Sequence, residues 1–88
     1  MTSSALIIHP SDNVAIALED IPCGGEVRLP DGRSFSAQAD IPFGHKVLLT
    51  DLAEGGDVIK YGEVISQVKT GLKQGEWVHT HNLLLEEV

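Results

Sequence analysis

An eight-residue pattern recurs four times along this 88-residue chain, and it constrains the fold more than any other feature. Each copy has an aliphatic residue, a glycine three positions later and a valine three positions after that. The copies span residues 20–27, 40–47, 51–58 and 71–78. Copies one and three are separated by the same 31 residues as copies two and four, so the sequence consists of two related halves. Two glycine-hinged halves predict a compact module of short β-strands.

Apolar or alternating runs between the glycines and prolines are typical of half-buried strands. No segment keeps an apolar period near 3.6 over a helical length, although Ser11 and Asp12 are good N-caps and favour one helical turn after Pro10. We therefore predict one all-β domain over residues 1–88, barrel-like or clip-like, with at most one or two short helical turns. The predicted strands lie at 5–9, 13–18, 26–29, 34–37, 46–50, 57–60, 63–68 and 77–81.

Within each copy, the glycine is expected to adopt positive φ, where the chain turns sharply. The aspartates that begin the first three copies, Asp20, Asp40 and Asp51, are interpreted as turn caps and not as metal ligands. The Pro30–Gly32 segment predicts the turn of a hairpin.

The charge balance excludes one class of partner. The chain has 13 acidic and 6 basic residues and a net charge of −7, which is unfavourable for binding the phosphates of nucleic acid. No apolar stretch approaches the ~20 residues of a membrane span, so no membrane partner is expected. The N-terminus lacks the pattern of a secretory signal, and the single cysteine, Cys23, cannot form an internal disulfide. These features predict a cytoplasmic protein.

Two histidines separated by one residue are the sharpest candidate site. On a strand, His79 and His81 would project from the same face, with their Cα atoms about 6–7 Å apart. Two neutral imidazoles on one face are a common start for a divalent metal site, and Asn82 adds a polar group. The alternative is a solvated edge strand with both histidines facing water.

Three other segments carry candidate functional groups. His45 and Lys46 follow Gly44 and form a small basic spot that suits an anionic substrate or a carboxylate of a partner, although a loop that carries two polar residues by chance explains them equally. His9 begins a polar turn and is a candidate third metal ligand, although a capping turn explains the same residues. Lys60 and Tyr61 are candidates for anion binding, with surface packing as the alternative. Trp77 is interpreted as a core or interface anchor.

Four ordered motifs, at residues 9–15, 40–47, 58–65 and 75–83, identify a resemblance to a known family. They resemble the N-terminal SAF-type domain of the altronate and galactarate dehydratases, and they are similar to the small subunit of (2R)-sulfolactate sulfo-lyase. The resemblance covers nearly the whole chain. It implies a small β-clip fold and a hydro-lyase that eliminates water from a sugar acid together with a larger catalytic subunit.

The resemblance also suggests roles for individual residues. It implies a small anionic hydroxy acid as substrate and a divalent metal such as iron(II) as cofactor. The expected catalytic residues are His45 and His81. The expected substrate-binding residues are Lys46, Lys60, Tyr61 and Asn82, and the expected metal ligands are His9, His79 and His81. Two alternative functions stay open: a sulfo-lyase subunit that releases sulfite, and a non-catalytic binding or regulatory module. Assembly into a homo-oligomer is open as well.

Overall fold

The computed structural model describes residues 3–83, with the backbone alone at Thr80. Within that range the chain forms eight short strands and one 3₁₀ turn: β1 Ala5–Leu6, β2 Val14–Ala17, β3 Glu26–Arg28, β4 Ser34–Ser36, β5 Lys46–Leu48, β6 Asp57–Lys60, β7 Glu63–Gln67, β8 Trp77–Val78 and the 3₁₀ turn Thr80–Asn82. Strands β1, β2, β5 and β8 form one antiparallel sheet in the order β1-β2-β5-β8. Two further antiparallel hairpins, β3–β4 and β6–β7, complete the fold. The predicted all-β class is confirmed.

Strand β5 is buried along its whole length because the central sheet carries an apolar cluster on each face. Successive side chains of a strand point to opposite faces. Val47 accordingly belongs to one cluster and Leu48 to the other. The first cluster contains Ala5, Ala15, Ala17, Ile21, Val27, Leu29, Ala37, Ile41, Val47 and Leu49. The second contains Val14, Leu48, Val58, Val68, Leu72, Val78 and Leu83.

The four copies of the repeat associate in pairs. An antiparallel bridge joins Ile21 to Ile41, and an equivalent bridge joins Leu52 to Leu72. Copy one therefore pairs with copy two, and copy three pairs with copy four. Each half of the sequence folds its own two copies against one another, so the two halves of the sequence are also equivalent in their pairing.

The repeated glycine adopts positive φ in all four copies, at 83°, 83°, 81° and 94°. Each of these glycines donates its backbone N–H to a carbonyl oxygen elsewhere in the fold, at 2.8 to 3.0 Å. The donor and acceptor pairs are Gly24 to Ala37, Gly44 to Ala17, Gly55 to Val68 and Gly75 to Leu48. The third pair repeats the first, and the fourth repeats the second, with the 31-residue offset. The prediction of positive φ is confirmed.

The aspartates that begin the first three copies cap turns in the copy they pair with. Each accepts one backbone N–H on Oδ1, at 2.8 to 2.9 Å. Asp20 caps Phe43, Asp40 caps Cys23 and Asp51 caps Gln74. The turn-cap interpretation is confirmed. The fourth copy has Gly71 at this position, and its cap is missing.

The polar segment after β1 forms a turn, and the predicted helical turn there is wrong. The carboxylate of Asp12 explains the difference. One of its oxygens accepts the N–H of His9 at 3.1 Å, and the other accepts the N–H of Gly62 at 2.8 Å. The side chain therefore ties this turn to the tip of the β6–β7 hairpin, and it is not available to cap a helix.

None of the helical structure in residues 3–83 has the length and apolar character needed to cross a membrane.

Candidate functional site

Four aromatic side chains pack together where β5 begins and β8 ends: His45, Trp77, His79 and His81, here called the histidine–tryptophan cluster. Trp77 lies at its centre. Its ring centroid is 5.5 Å from that of His45, 5.0 Å from that of His79 and 5.2 Å from that of His81. His79 stacks on the indole at an interplanar angle of 14°, and the other two rings are steeply inclined to it. The sequence-predicted catalytic residues His45 and His81 thus share one aromatic neighbour.

The pairing of β5 with β8 creates this arrangement. Val47 and Trp77 are register partners in the antiparallel ladder. His45, two residues before Val47, lies immediately after the positive-φ Gly44 and donates its backbone N–H to the carbonyl of Pro42 at 3.0 Å. The rings of His45 and Trp77 therefore meet diagonally across the two strands.

The strand predicted over residues 77–81 is wrong beyond Val78, where β8 ends. Asn82 causes the change. Its side-chain Nδ2 donates to the carbonyl of Trp77 at 2.7 Å, and its Oδ1 accepts the backbone N–H of His79 at 3.0 Å. Its own backbone N–H donates to the carbonyl of His79, also at 3.0 Å. These bonds close the 3₁₀ turn Thr80–Asn82.

The turn still brings the two neighbouring histidines together. The ring centroids of His79 and His81 lie 6.2 Å apart, and those of His45 and His79 lie 5.1 Å apart. Their proximity was expected from strand alternation, whereas the structure achieves it with a strand followed by a tight turn. His81 is exposed, and His45 and His79 are half-buried. The cluster therefore lies at the protein surface.

Two direct hydrogen bonds connect ring nitrogens of the cluster to neighbouring donors. The indole Nε1–H of Trp77 donates to Nδ1 of His45 at 3.3 Å. The Nδ2 amide group of Asn82 lies 3.3 Å from Nε2 of His81. Asn82 was predicted to bind substrate, but its amide is committed to Trp77, His79 and His81. The structure thus gives it a role in positioning the cluster.

His9 lies at a different place, on the tip of the β6–β7 hairpin. Its Nδ1 accepts the backbone N–H of Ser11 at 3.1 Å, and its ring packs against Gly62. Across residues 3–83, no group of three or more histidine, cysteine, aspartate or glutamate side chains is arranged to hold a metal ion. The structure therefore brings His79 and His81 together but not His9 with them. Metal binding by these residues stays a prediction.

Lys60 and Tyr61 form a second exposed feature on the same hairpin tip. Tyr61 has φ of 56° and Gly62 has φ of 76°, the signs that a two-residue type I′ turn requires. The ammonium of Lys60 lies 5.0 Å from the centroid of the Tyr61 ring, within range of a cation–π interaction. Tyr61 is 59% exposed. A bulky residue in this backbone region is uncommon, so Tyr61 is held there by the turn and by its neighbours.

Lys46 is much less accessible than its position beside His45 suggests. It lies in β5 between Ile16 of β2 and Val78 of β8, and it is only 8% exposed. Its predicted contact with substrate is untested, and only a small part of the side chain is available for it.

A concave surface of about 480 Å³ lies away from the cluster, lined by residues 6–10, Pro30, Asp31 and Arg33. No residue of the histidine–tryptophan cluster lines it. Of the candidate site residues, His9 lines this concave surface, whereas the histidine–tryptophan cluster lies on a separate, open face.

The comparison with known families agrees with this fold and with the placement of the motifs. Residues 3–86 match the family described as the altronate/galactarate dehydratase SAF domain. The chain belongs to this family. The resemblance identified from the sequence motifs is therefore confirmed, and the repeated halves described above are features of this SAF domain.

Individual relatives differ in how much of their length this SAF domain covers. Altronate dehydratase from Escherichia coli is 44% identical over 75 residues, which are 85% of this chain and 15% of that protein. Galactarate dehydratase (L-threo-forming) from the same organism is 36% identical over 86 residues, 98% of this chain and 16% of that protein. (2R)-sulfolactate sulfo-lyase subunit alpha from Chromohalobacter salexigens is 36% identical over 84 residues, 88% of this chain and 89% of that subunit. This SAF domain thus spans about a sixth of the dehydratases and most of the sulfo-lyase subunit.

Trp77 packs against the first apolar cluster, in agreement with its interpretation as a core anchor, but its contacts with three histidine rings were not predicted. One signal was present. Trp77 and His79 are alternate residues at the predicted start of a strand, and such residues share a face. The hydrogen bond to His45 had no signal of this kind, because it depends on the register between strands 32 residues apart.

Proposed function

We propose that this SAF domain serves a carbon–oxygen lyase that eliminates water from a sugar acid, and that it works together with a larger catalytic chain. The single observation that carries the proposal is the family match over residues 3–86, with identities of 44% and 36% to two dehydratases. The exposed histidine–tryptophan cluster supports it, because it offers imidazole groups on a face that a second chain can cover.

The need for a larger partner is inferred from the relatives. The matched region makes up only 15% and 16% of the two dehydratases, so most of each enzyme lies outside it. The sulfo-lyase relative is named a subunit, which supports an assembly of more than one chain. An 88-residue domain has a small core and an open candidate site, so a second surface is needed to exclude water from the reaction.

The proposed chemistry is a β-elimination. A base removes the proton α to the carboxylate, the bond from the β-carbon to oxygen breaks, and an acid of the assembled enzyme donates the proton with which the hydroxide leaves as water. The resulting enol rearranges to a 2-keto acid. We assign the base to the larger chain and propose that His45 and His81 interact with the reacting hydroxy acid. Lys60 and Tyr61 are proposed as contacts for its charged groups.

The divalent metal, with iron(II) as the candidate, is proposed only as a cofactor of the assembled enzyme. Residues 3–83 contain no three-ligand group for it, and the ring of His9 packs against Gly62 of the β6–β7 turn. The described residues thus do not by themselves form a complete metal site, and the proposed elimination assigns no step to the metal.

A second candidate is the alpha subunit of a (2R)-sulfolactate sulfo-lyase. The specific observation in its favour is coverage, since the alignment includes 88% of this chain and 89% of that subunit. In that reaction the bond from the β-carbon to sulfur breaks, and sulfite leaves with the bonding electrons. Both candidates act on small hydroxy acids by elimination, and they differ in the leaving group.

The decisive experiment is reconstitution with the larger chain that co-purifies with the tagged domain from its native lysate. The purified complex is incubated separately with altronate, galactarate and (2R)-sulfolactate, and both 2-keto acid and sulfite are quantified. Keto acid without sulfite, from a sugar acid, supports the hydro-lyase. Sulfite from sulfolactate supports the alternative. A stable complex with no turnover of any of the three would favour a non-catalytic regulatory module and contradict the proposal.

A further inference from the structure

The orientation of the Asn82 amide is fixed by backbone groups, and this decides the state of His81. Its Oδ1 faces the N–H of His79, which can only donate, and its Nδ2 faces the carbonyl of Trp77, which can only accept. A flipped amide would place its NH₂ group against the N–H of His79, donor against donor, and its oxygen against the carbonyl of Trp77, acceptor against acceptor. The atom 3.3 Å from His81 Nε2 is therefore the amide nitrogen, a donor.

Because an amide nitrogen can only donate, Nε2 of His81 must be the acceptor. A neutral imidazole carries one proton, so the proton of His81 lies on Nδ1. Nδ1 is then the ring nitrogen left for a ligand, and His81 is exposed. The open nitrogen of His81 is thus a hydrogen-bond donor.

The same reasoning applies to His45 with Trp77 in place of Asn82. The indole Nε1–H has no acceptor capacity, so Nδ1 of His45 accepts it and Nε2 carries the proton. Among the described residues, no buried side-chain nitrogen or oxygen lacks a hydrogen-bond partner. Since His45 Nε2 has no protein partner in that part of the chain, it reaches solvent. The open nitrogen of His45 is likewise a donor.

This arrangement is the reverse of the one that supports a metal ligand. A histidine bound to a metal almost always donates the N–H of its second nitrogen to a carboxylate, a carbonyl or water. In His45 and His81 the second nitrogen instead accepts a hydrogen bond, from the Trp77 indole and from the Asn82 amide respectively. His9 has the same feature, because its Nδ1 accepts the N–H of Ser11. If the open nitrogen bound a metal, the ring proton would have to move to the other nitrogen. That nitrogen would then point its N–H at a group that is itself a hydrogen-bond donor.

We infer that the histidine–tryptophan cluster is a hydrogen-bond-donor site for an oxyanion such as a carboxylate, built from His45 Nε2–H and His81 Nδ1–H, and is not a metal site. Trp77 and Asn82 are its positioning residues. The assignment of the anion as the carboxylate of a hydroxy-acid substrate rests on the proposed function. The donor character of the two rings rests only on the contacts described above.

A neutral imidazole is well suited to this task. It donates a hydrogen bond to charge that develops on a carboxylate during α-proton removal, and it keeps its own proton. Donors that are fixed before the reaction need no reorganisation as the charge appears. The cluster would therefore stabilise the enediolate-like state while the base on the larger chain removes the proton.

The test is an imidazole ¹⁵N NMR experiment on the labelled 88-residue chain, which distinguishes protonated from unprotonated ring nitrogens. The spectra are recorded over an alkaline pH series and evaluated where the ring ¹⁵N resonances no longer change with pH. The inference predicts that His45 is protonated on Nε2 and His81 on Nδ1, opposite tautomers within one cluster. Detection of His81 as the Nε2–H form would overturn it. The wild-type spectrum alone decides this point, so no variant has to fold.

Two additions to the same sample test the ligand class. Equimolar Zn²⁺ is expected to leave the His45 and His81 nitrogens unchanged, whereas a shift of both at one equivalent would overturn the inference. Glycerate, a small hydroxy acid, is expected to shift the N–H resonances of both rings relative to sodium chloride at equal ionic strength. Absence of that shift at saturating glycerate would overturn the oxyanion assignment.

The outcomes for this inference and for the proposed function are distinguishable. The predicted tautomers and glycerate shifts, combined with a reconstituted complex that turns over no hydroxy acid, would remove the lyase function and leave the donor site. Turnover by a complex in which His45 is protonated on Nδ1 and His81 on Nε2 would support the lyase and overturn the donor site.

Discussion

Trp77 donates its indole N–H to Nδ1 of His45 at 3.3 Å, across 32 residues of sequence. The internal symmetry does not predict this contact. The 31-residue offset relates His45 to Glu76 and Trp77 to Lys46, so the bond joins two non-equivalent positions of the halves. The two halves thus share a scaffold of glycine turns and carry different chemistry on it.

Replacing Trp77 with Phe tests the role of this bond. Phe keeps an aromatic ring for stacking on His79 but has no N–H. A hydrogen bond of this kind contributes about 0.5–1.5 kcal/mol, so we expect kcat of the assembled enzyme to fall by up to about tenfold, with KM changed much less. The imidazole ¹⁵N spectrum of the same variant should show His45 as a mixture of tautomers. Unchanged kcat together with a wild-type His45 spectrum would contradict the positioning role.

The missing cap of the fourth repeat copy provides a test of the internal symmetry. Asp40 caps Cys23, and the 31-residue offset relates these two residues to Gly71 and Glu54. An aspartate in place of Gly71 would therefore be positioned to cap Glu54. A Cβ built on Gly71 lies 3.9 Å from the Glu54 backbone nitrogen and meets nothing closer than 3.5 Å. Gly71→Asp should therefore add the absent cap, worth about 1 kcal/mol by analogy with capping residues. Reduced chain entropy in the unfolded state should add about 0.4–1 kcal/mol.

The matched control for this prediction is Gly71→Ala, which provides only the entropic part. Urea unfolding of both variants and the wild type gives the two contributions by difference. Equal stability of the Asp and Ala variants would show that the symmetry does not extend to this cap.

The four repeat glycines are conformationally equivalent, but their surroundings are different, and this predicts unequal tolerance to substitution. A Cβ on Gly44 would meet no atom within 4 Å, so Gly44→Ala should cost only the strain of positive φ, about 1–2 kcal/mol. A Cβ on Gly75 would overlap the carbonyl oxygen of Ser36. Gly75→Ala should cost considerably more, because backbone must move and the bond from Gln38 N to Gly75 O, 2.8 Å long, is disturbed. Similar urea midpoints for the two variants would contradict this reading of the packing.

The turn of the β3–β4 hairpin predicts a pH-dependent contribution to stability. The side chain of Arg33 donates to Asp31 from Nε and Nη2, both at 2.8 Å, and its backbone N–H donates at 3.0 Å. These bonds, led by the one from the Arg33 side chain, lower the pKa of Asp31 below its ordinary value of 3.8. A lowered folded-state pKa stabilises the fold above the ordinary pKa, and the contribution disappears as the pH falls through the folded-state value.

The measurement compares the wild type with Asp31→Asn. The urea midpoint of the wild type should exceed that of the variant near neutral pH, and the difference should disappear in acid. Both residues are exposed, so the difference should also shrink in high salt. If the difference between the two urea midpoints does not change with pH, the stabilisation comes from the conformation of the turn and not from the charge of Asp31.

Much of the fold could be predicted because it follows from local backbone requirements. A glycine at the same place in four copies indicates a turn with positive φ, and the capping aspartates follow from the short reach of their side chains. The limits of the strands were less predictable. Strand 1 ends at Leu6, where residues 5–9 were predicted, because Asp12 ties the His9 turn to Gly62.

The candidate site was predictable in its residues but not in its geometry. The spacing of His79 and His81 correctly indicated that the rings are close, for the wrong structural reason. Asn82 replaces the continued strand with a turn through bonds to Trp77 and His79, and sequence alternation does not reveal such bonds. The placement of His9 away from the cluster depends on the hairpin 50 residues later, which its carboxylate neighbour Asp12 contacts.

The most direct test of a role for the histidine–tryptophan cluster in the elimination is the turnover of the reconstituted complex with His81→Ala. We expect a normally assembled complex whose kcat falls by about 10²–10³, the usual loss when one donor to a developing oxyanion is removed. Glu19→Gln, at an exposed position outside the cluster, is the matched control and should turn over like the wild type. Unchanged kcat in the His81 variant would contradict the claim that the histidine–tryptophan cluster takes part in the elimination.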